Sequence, residues 1–210
     1  MSKVCYIIGA APCEPPKIEV GKDDILAVAD GGYLTAKKAG LTPDVFVGDC
    51  DSISAVPDDI PKVKRLNTVK DDTDASSAAD EGLAAGCDKF VFFGCLGGER
   101  LDHSFANIQL AYSLAKKGKK VKIVGDNQIL ETVTDKKEFD ATFKGYVSVF
   151  SLSEKSCGVT LKGLKYTLDD ATLTFDTPLG VSNEFCGQTA TISVKNGVLL
   201  VVYNADKLPH

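Results

Sequence analysis

One stretch near the middle of the chain decides the fold class: Lys89-Phe90-Val91-Phe92-Phe93-Gly94-Cys95-Leu96-Gly97-Gly98-Glu99-Arg100-Leu101-Asp102-His103. It begins as a strand of aromatic and β-branched residues and continues as a glycine-rich turn. It then enters a helix in which apolar residues recur at helical spacing as far as Ala115. A strand that passes through a short turn into a helix is the repeating unit of a parallel sheet covered by helices. The stretch therefore predicts an α/β fold.

The same alternation extends over the first two-thirds of the chain, with a further helix predicted at Thr73–Ala85. The predicted strands there are 4–8, 25–29, 45–47, 89–93 and 121–124. After about Gln128 the helical pattern stops, and short strands are predicted at 129–133, 146–152, 159–161, 172–175, 189–194 and 198–203. We therefore expect a Rossmann-like parallel-sheet domain over residues 1–132 and an antiparallel β-sandwich over residues 133–210. Asn196-Gly197, between the last two strands, predicts a type I′ hairpin.

Composition excludes several classes of protein. A hydrophobic content of 44% in 210 residues is enough to bury a core, and a net charge of -5 without a dense basic run argues against a nucleic-acid partner. No apolar run approaches the about 18 residues that span a bilayer, and the N-terminus lacks the pattern of a secretory signal, so we expect no membrane association and a cytoplasmic location.

The seven scattered cysteines predict reduced thiols. Two histidines are too few for a His-rich site, so any metal should be held by oxygen.

Acidic residues directly follow two of the predicted strands. Asp30 follows the second strand, and Asp49 and Asp51 follow the third. The carboxyl ends of strands are where ligands bind in open α/β sheets. A third acidic cluster, Asp71-Asp72-Thr73-Asp74, precedes a helix, and its aspartates could instead cap that helix. Converging carboxylates repel one another unless a cation neutralises them, and Mg²⁺ is the hard, oxygen-seeking ion that suits such a site.

The glycine-rich turn predicts a phosphate site. Gly97 and Gly98 would let the backbone approach a phosphate at the positive end of the following helix, and Arg100 could clamp phosphate oxygens. The alternative is an ordinary turn with a solvated arginine. Asp102 could be the N-cap of the helix, and His103 could be either a phosphate donor or a polar residue of the first turn. The residues alone thus indicate a magnesium-dependent enzyme or binder of a phosphorylated ligand.

Four ordered motifs together resemble the thiamine pyrophosphokinase family. They are Asp30-Gly31-Gly32, Gly48-Asp49-Cys50-Asp51-Ser52, Lys70-Asp71-Asp72-Thr73-Asp74, and a Gly-Gly-x-Arg-x-Asp-His-x-x-x-Asn run ending at Asn107. The likeness continues in 163–166 and 180–184. It implies an N-terminal catalytic domain that binds ATP and magnesium, a C-terminal β-sandwich that binds thiamine, and a homodimer with the site between subunits. It also implies the reaction, in which the hydroxyl of thiamine attacks the β-phosphorus of ATP to give thiamine diphosphate and AMP.

The resemblance also implies roles for individual residues. The implied metal ligands are Asp49, Asp51 and Asp74, with Asp71 as a fourth. The implied catalytic residues are Asp49, Asp51 and Asp74 again, together with Asp30, which would orient the substrate, and Arg100. The implied nucleotide-binding residues are Lys70, Asp71, Gly97, Gly98, Arg100, Asp102 and His103. Ser182 and Asn183 would bind thiamine, although as a local pattern they also fit turn residues before a strand.

Two features of the chain depart from the family pattern: Cys50 replaces a larger apolar residue, and Glu99 is an extra residue before Arg100. The chain has no tryptophan, so an aromatic partner of thiamine would be a tyrosine or a phenylalanine. Two competing functions use the same scaffold, a magnesium-dependent phosphohydrolase and a nucleotide or vitamin sensor without turnover.

Overall fold

A computed structural model describes residues 2–48, 60–65 and 73–204. The chain divides into two compact units, and the division falls inside a helix. The first unit holds the residues up to Leu110 together with Val121–Asp126, and the second holds Ala111–Lys120 and the residues from Asn127 onward. The expected domain boundary between residues 132 and 133 stays a prediction.

The first unit is an open sheet with helices. Its elements are β1 (Val4–Ile8), β2 (Ile25–Ala29), α1 (Gly32–Lys38), β3 (Val45–Gly48), β4 (Lys62–Arg65), α2 (Asp74–Ala84), β5 (Lys89–Phe93), the start of α3 (Leu101–Lys116) and β6 (Lys120–Val124). The strand order is β6-β5-β1-β2-β3-β4, and β1 pairs in parallel with both β2 and β5. The chain proceeds from β1 to β4 on one side of β1 and then returns to place β5 on the other side. This reversal creates a crevice beyond the carboxyl ends of β1 and β5, where ligands bind in such sheets.

The small residues of α2 let this helix lie close to the sheet. Ala75, Ala78 and Ala79 are buried, and a Cβ atom on Gly82 would lie 2.5 Å from the Sγ atom of Cys5 in β1. Thr73 is the N-cap of α2, because its side chain accepts a hydrogen bond from the N–H of Ser76 at 3.1 Å. The idea that Asp74 caps this helix is therefore wrong, since Asp74 is its first helical residue.

The second unit consists of antiparallel strands after the end of α3. They are β7 (Gln128–Val133), β8 (Lys136–Phe139), β9 (Tyr146–Ser151), β10 (Lys155–Lys162), β11 (Leu168–Thr174), β12 (Gly180–Glu184), β13 (Ala190–Ser193) and β14 (Leu199–Asn204). They hydrogen bond in the orders β12-β9-β14-β7 and β11-β10-β13-β8. One core cluster contains residues of both sets, among them Val147, Leu161, Ile192 and Val201. The predicted parallel sheet followed by antiparallel strands is confirmed.

The predicted hairpin at Asn196-Gly197 is wrong. The preceding strand β13 pairs with β10 and β8, whereas the following strand β14 pairs with β7 and β9. Gly197 has a φ of 111°, but Asn196 is not among the residues with positive φ. Asn196 instead forms a bridge to Cys157 of β10, with the N–H of Cys157 donating to the Asn196 carbonyl oxygen at 2.8 Å. The segment therefore carries the chain from one set of strands to the other.

Candidate functional site

A pocket of about 540 Å³ lies in the first unit, over the carboxyl ends of β1, β2 and β5. The segment after each of these strands contributes to its lining: Gly9–Pro12 after β1, Asp30 after β2, and the glycine-rich turn after β5. The N-terminus of α2 and the first turns of α3 supply the rest of the lining. The pocket therefore occupies the crevice created by the reversal of strand order.

Gly9 and Gly94, which line the pocket, allow the segments that follow β1 and β5 to lie side by side. The N–H of Gly9 donates to the Phe93 carbonyl oxygen at 2.8 Å, and the N–H of Ala11 donates to the Gly94 carbonyl oxygen at 2.9 Å. A Cβ atom on Gly94 would lie 2.6 Å from the carbonyl oxygen of Gly9, and Gly94 has a φ of 58°. Any side chain would force the two segments apart.

Gly9–Pro12 lies outside the motifs from which the site was predicted. The available signal was its position, because it directly follows the first strand of a parallel sheet, where phosphate-binding turns are found. Its small residues carry no chemistry by themselves. Their role depends on the neighbouring strand β5.

Asp30 stands at the end of β2 with a φ of 46°. Its N–H donates to the Val47 carbonyl oxygen at 2.8 Å, and its own carbonyl oxygen accepts from the N–H of Tyr33 at 3.1 Å. The Oδ1 atom of Asp30 is buried. A Cβ atom on Gly48, the last residue of β3, would lie 3.2 Å from the Cα atom of Asp30. The carboxyl ends of β2 and β3 thus lie together, as the sequence predicted.

The first residue of α2, Asp74, lines the same pocket as Asp30. The structure therefore brings together two of the predicted site carboxylates. The other predicted acidic and basic residues of this region lie outside the described residues: Asp49, Asp51, Lys70 and Asp71. Their roles stay predictions.

The turn after β5 is attached to α3 by two side chains. The N–H of Gly97 donates to the Oγ atom of Ser104 at 2.9 Å, and the Nδ2 atom of Asn107 donates to the Cys95 carbonyl oxygen at 2.8 Å. Gly97 and Gly98 have φ values of 75° and 73°, a pair of left-handed residues that favours glycine. Both glycines line the pocket. The turn thus presents backbone to the cavity, as a phosphate site requires.

Arg100 and His103 also line the pocket, at the start of α3. The guanidinium of Arg100 donates from Nε to Oδ1 of Asp102 at 3.0 Å and from Nη2 to Oδ2 at 2.6 Å. This hydrogen bonding lowers the pKa of Asp102 to about 2 and raises the pKa of Arg100. Asp102 belongs to the first turn of α3, which begins at Leu101, so the idea that Asp102 is its N-cap is wrong. Its carboxylate orients Arg100 instead.

In the second unit, the predicted thiamine-binding residues belong to β12. Ser182 is exposed, has a φ of 59°, and lies where the register between β12 and β9 shifts. Asn183 is buried, and its side chain hydrogen bonds to both the N–H and the carbonyl oxygen of Tyr166. Oδ1 accepts from the Tyr166 N–H at 2.9 Å, and Nδ2 donates to the Tyr166 carbonyl oxygen at 2.6 Å. The alternative of turn residues before a strand is therefore wrong, because both residues lie within the strand.

The donor atoms of the pocket suit a hard cation. Asp30 and Asp74 offer carboxylate oxygens, whereas the neighbouring thiol of Cys95 is buried, which raises its pKa to about 12 and keeps it protonated. Within residues 2–48, 60–65 and 73–204, no group of three or more His, Cys, Asp or Glu side chains is arranged to hold a metal ion. Mg²⁺ commonly takes one or two carboxylates and completes its shell with water and phosphate oxygens. The residues present therefore fit Mg²⁺ better than a softer metal.

Comparisons with known proteins agree over both units. The family models described as "Thiamin pyrophosphokinase, catalytic domain" and "Thiamin pyrophosphokinase, vitamin B1 binding domain" match residues 18–123 and 131–199. The thiamine pyrophosphokinase of Bacillus subtilis (strain 168) is 32% identical over 185 residues, which are 84% of this chain and 86% of that protein. The crystal structure of thiamine pyrophosphokinase from Bacillus subtilis matches with a TM-score of 0.82 and 27% identity, over 97% of this chain and 100% of that chain. The corresponding structure from Geobacillus thermodenitrificans matches with a TM-score of 0.80 and 27% identity, over 97% and 98%. This chain belongs to the thiamine pyrophosphokinase family.

Proposed function

We propose that this protein transfers the pyrophosphoryl group of ATP to the hydroxyl of thiamine, giving thiamine diphosphate and AMP with Mg²⁺ as the metal. Membership of the family makes the chain a transferase. The observation that carries the proposal is the pocket beyond β1, β2 and β5, which combines the carboxylates of Asp30 and Asp74 with the backbone of a glycine turn. Such a combination suits the binding of a polyphosphate in complex with a cation.

The acidic residues would hold the metal. Asp30 and Asp74 would supply oxygen ligands, and the sequence adds Asp49, Asp51 and Asp71 as further candidates. When bound, Mg²⁺ would neutralise the negative charge that develops on the phosphate oxygens during transfer. Asp30 is also the candidate for orienting the substrate, because its backbone is fixed by hydrogen bonds to β3 and to the start of α1.

The basic and backbone groups would hold the phosphates in place. Arg100 and His103 lie at the start of α3, whose N-terminus carries a partial positive charge, and the Gly97–Gly98 turn approaches the same cavity. Lys70 is a further candidate from the sequence. Phosphoryl transfer depends mainly on positioning and on stabilising charge, so a set of several anchors is what the reaction requires.

For the vitamin, we propose a binding site that involves Ser182 of β12, near the backbone that Asn183 fixes at Tyr166. We also propose a homodimer with the active site shared between subunits. Large apolar side chains are exposed in both units, with Leu101 at 81% and Tyr146 at 61% exposed, which supports association with a second copy.

We further propose a cytoplasmic location, in keeping with the six cysteines within the described residues, which are thiols and not disulfides. In the same part of the chain, no helix combines the length and the apolar character needed to cross a bilayer.

One assay tests the proposal: the protein is incubated with ATP, Mg²⁺ and thiamine, and the products are identified by phosphorus NMR. We expect AMP and thiamine diphosphate in equal amounts, and no product when EDTA removes the metal. ADP with thiamine monophosphate would contradict pyrophosphoryl transfer. Phosphate released without thiamine would indicate a phosphohydrolase, and a nucleotide-dependent rise in Tm without any product would indicate a sensor.

A further inference from the structure

The face of α3 that borders the pocket carries two nearly buried polar side chains. Ser104 is 9% exposed and Asn107 is 7% exposed. They are three residues apart, so they lie on the same face of the helix. Both use their side chains to bind the backbone of the glycine turn rather than to bind each other or their own helix.

These two hydrogen bonds fix the turn on both sides of Leu96. Asn107 holds the carbonyl oxygen of Cys95, and Ser104 holds the N–H of Gly97. The N–H of Gly97 is therefore used inside the protein and is not available to a phosphate. The two bonds thus determine which part of the turn faces the cavity.

The turn needs such support because its backbone is intrinsically free. Gly97 and Gly98 are consecutive left-handed residues, and a Cβ atom on Gly97 would meet nothing within 4 Å. Glycine gains no side-chain packing and loses more conformational freedom than other residues when it is ordered. Hydrogen bonds from a rigid helix offset this cost before a ligand arrives, and a loop ordered in advance binds more tightly.

The position of the two contacts also bears on the extra residue Glu99. Both contacts run from residues of α3, which follow Glu99, to residues of the turn, which precede it, so Glu99 lies within the loop that the two hydrogen bonds close. The additional length then falls between Gly98 and Arg100, where Asp102 orients the guanidinium. The turn and the arginine are thus held by separate contacts.

We propose that Ser104 and Asn107 are positioning residues that hold the Cys95–Gly98 turn in its nucleotide-binding shape and so set the affinity for ATP. This inference rests on the proposed function. The two side chains act through the turn and not on the reacting atoms. Their loss should therefore weaken nucleotide binding while the chemical step, once ATP is bound, proceeds at nearly the same rate.

The test uses paired variants on the same helix. Ser104→Ala removes the acceptor of the Gly97 N–H, and Ser104→Thr restores a hydroxyl. Ser113→Ala is the matched control, since Ser113 is an exposed serine of α3. Asn107→Asp replaces the Nδ2 donor by an oxygen facing the Cys95 carbonyl, and Gln109→Glu makes the same chemical change at an exposed position of α3.

Four quantities are measured for each variant. They are the Kd for α,β-methylene-ATP with Mg²⁺ by calorimetry, the kcat and KM for ATP at saturating thiamine, and the Tm without ligand. For Ser104→Ala and Asn107→Asp we expect Kd and KM for ATP to rise about tenfold, equivalent to about 1.4 kcal/mol, with kcat within about threefold of the wild type. Ser104→Thr should recover most of the affinity, and both controls should match the wild type.

The proposal is overturned if Ser104→Ala and Asn107→Asp bind the analogue as tightly as the wild type. It is also overturned if kcat falls while KM is unchanged, if Ser104→Thr is no better than Ser104→Ala, or if Ser113→Ala has the same effect. The binding measurement needs no turnover. A wild type that binds the analogue but forms no thiamine diphosphate would refute the proposed reaction, and the comparison of Kd values would still decide this inference.

Discussion

Gly9 and Gly94 lie so close together that a Cβ atom on Gly9 would be 2.5 Å from the carbonyl oxygen of Gly94. The two residues follow β1 and β5, the strands on either side of the point where the strand order reverses. Because neither has a side chain, the segments after both strands can run side by side and then separate around the pocket. The shape of the cavity thus depends on two residues that have no side chain.

Gly94→Ala should therefore damage both stability and nucleotide binding. The matched control is Gly86→Ala, because Gly86 also has a positive φ, 77°, but has nothing within 4 Å of its Cβ position. We expect the control to lose about 1 kcal/mol of unfolding free energy from backbone strain alone. Gly94→Ala should lose a further 1–3 kcal/mol or so from the steric clash and should bind Mg²⁺–ATP measurably more weakly. Urea unfolding and calorimetry check this, and equal behaviour of the two variants would contradict it.

Asp30→Asn tests the carboxylate at the end of β2. Asparagine tolerates a left-handed backbone as aspartate does, so the φ of 46° should be kept and the fold should be retained. The loss of a charged ligand should lower kcat/KM at least about a hundredfold, or about 2.7 kcal/mol of transition-state stabilisation. Asp80→Asn, at an exposed position of α2, is the control and should keep wild-type activity. Wild-type kinetics in a folded Asp30→Asn protein would remove Asp30 from the site.

The strands next to the pocket were predictable because their sequences are buried and apolar. β1, β2 and β5 have the predicted limits, since each is a mainly apolar run, in which β-branched or aromatic residues are frequent, that is followed directly by a glycine or an aspartate. The strand β4, Lys62–Arg65, was not predicted, because three of its four residues are charged and none of the four is buried. It is a strand because its backbone pairs with β3, a tertiary effect that local sequence does not encode.

The part of the candidate site that could be predicted consists of acidic residues and glycines next to strands and helices, because such residues are uncommon there without a function. Asp30, Asp74 and the Gly97–Gly98 turn were expected at one site, and they line one pocket. Ser104 was not singled out, since a serine on a helix is ordinary and its role depends on the turn that packs against it. The buried position of Asn183 was also not expected, because its partner Tyr166 lies in another segment.

The buried thiols predict a loss of stability at alkaline pH. Burial raises the pKa of Cys95 to about 12, and burial also raises the pKa of Cys5. In the unfolded chain these thiols ionise near their ordinary value of about 9, so the folded state holds more protons between about pH 9 and pH 12. The unfolding free energy should be insensitive to these groups below about pH 8 and should fall above about pH 9, by up to about 1.4 kcal/mol per pH unit for each thiol.

Urea unfolding from pH 8 to pH 10.5 checks this dependence on pH. Cys95→Ala should show a shallower decline than the wild type, whereas Cys186→Ala, at an exposed position, should keep the wild-type slope. The slopes are compared and not the absolute values, because removing a buried side chain also changes packing. Identical slopes in all three proteins would show that Cys95 does not contribute.

Ser182→Gly separates a thiamine-binding role of Ser182 from a purely structural one. Ser182 adopts a φ of 59°, so glycine should relieve backbone strain and raise the unfolding free energy by up to about 1 kcal/mol, while removing the exposed hydroxyl. If that hydroxyl binds thiamine, the KM for thiamine should rise by about threefold to tenfold and the KM for ATP should stay the same, because a hydrogen bond of this kind contributes about 0.5–1.5 kcal/mol. Asp170→Gly is the control, since Asp170 is also exposed with a positive φ, 49°, but lies in β11 outside the predicted site. An unchanged KM for thiamine in a stabilised Ser182→Gly protein would mean that Ser182 only shapes the bulge in β12, and thiamine would then have to be bound by other residues.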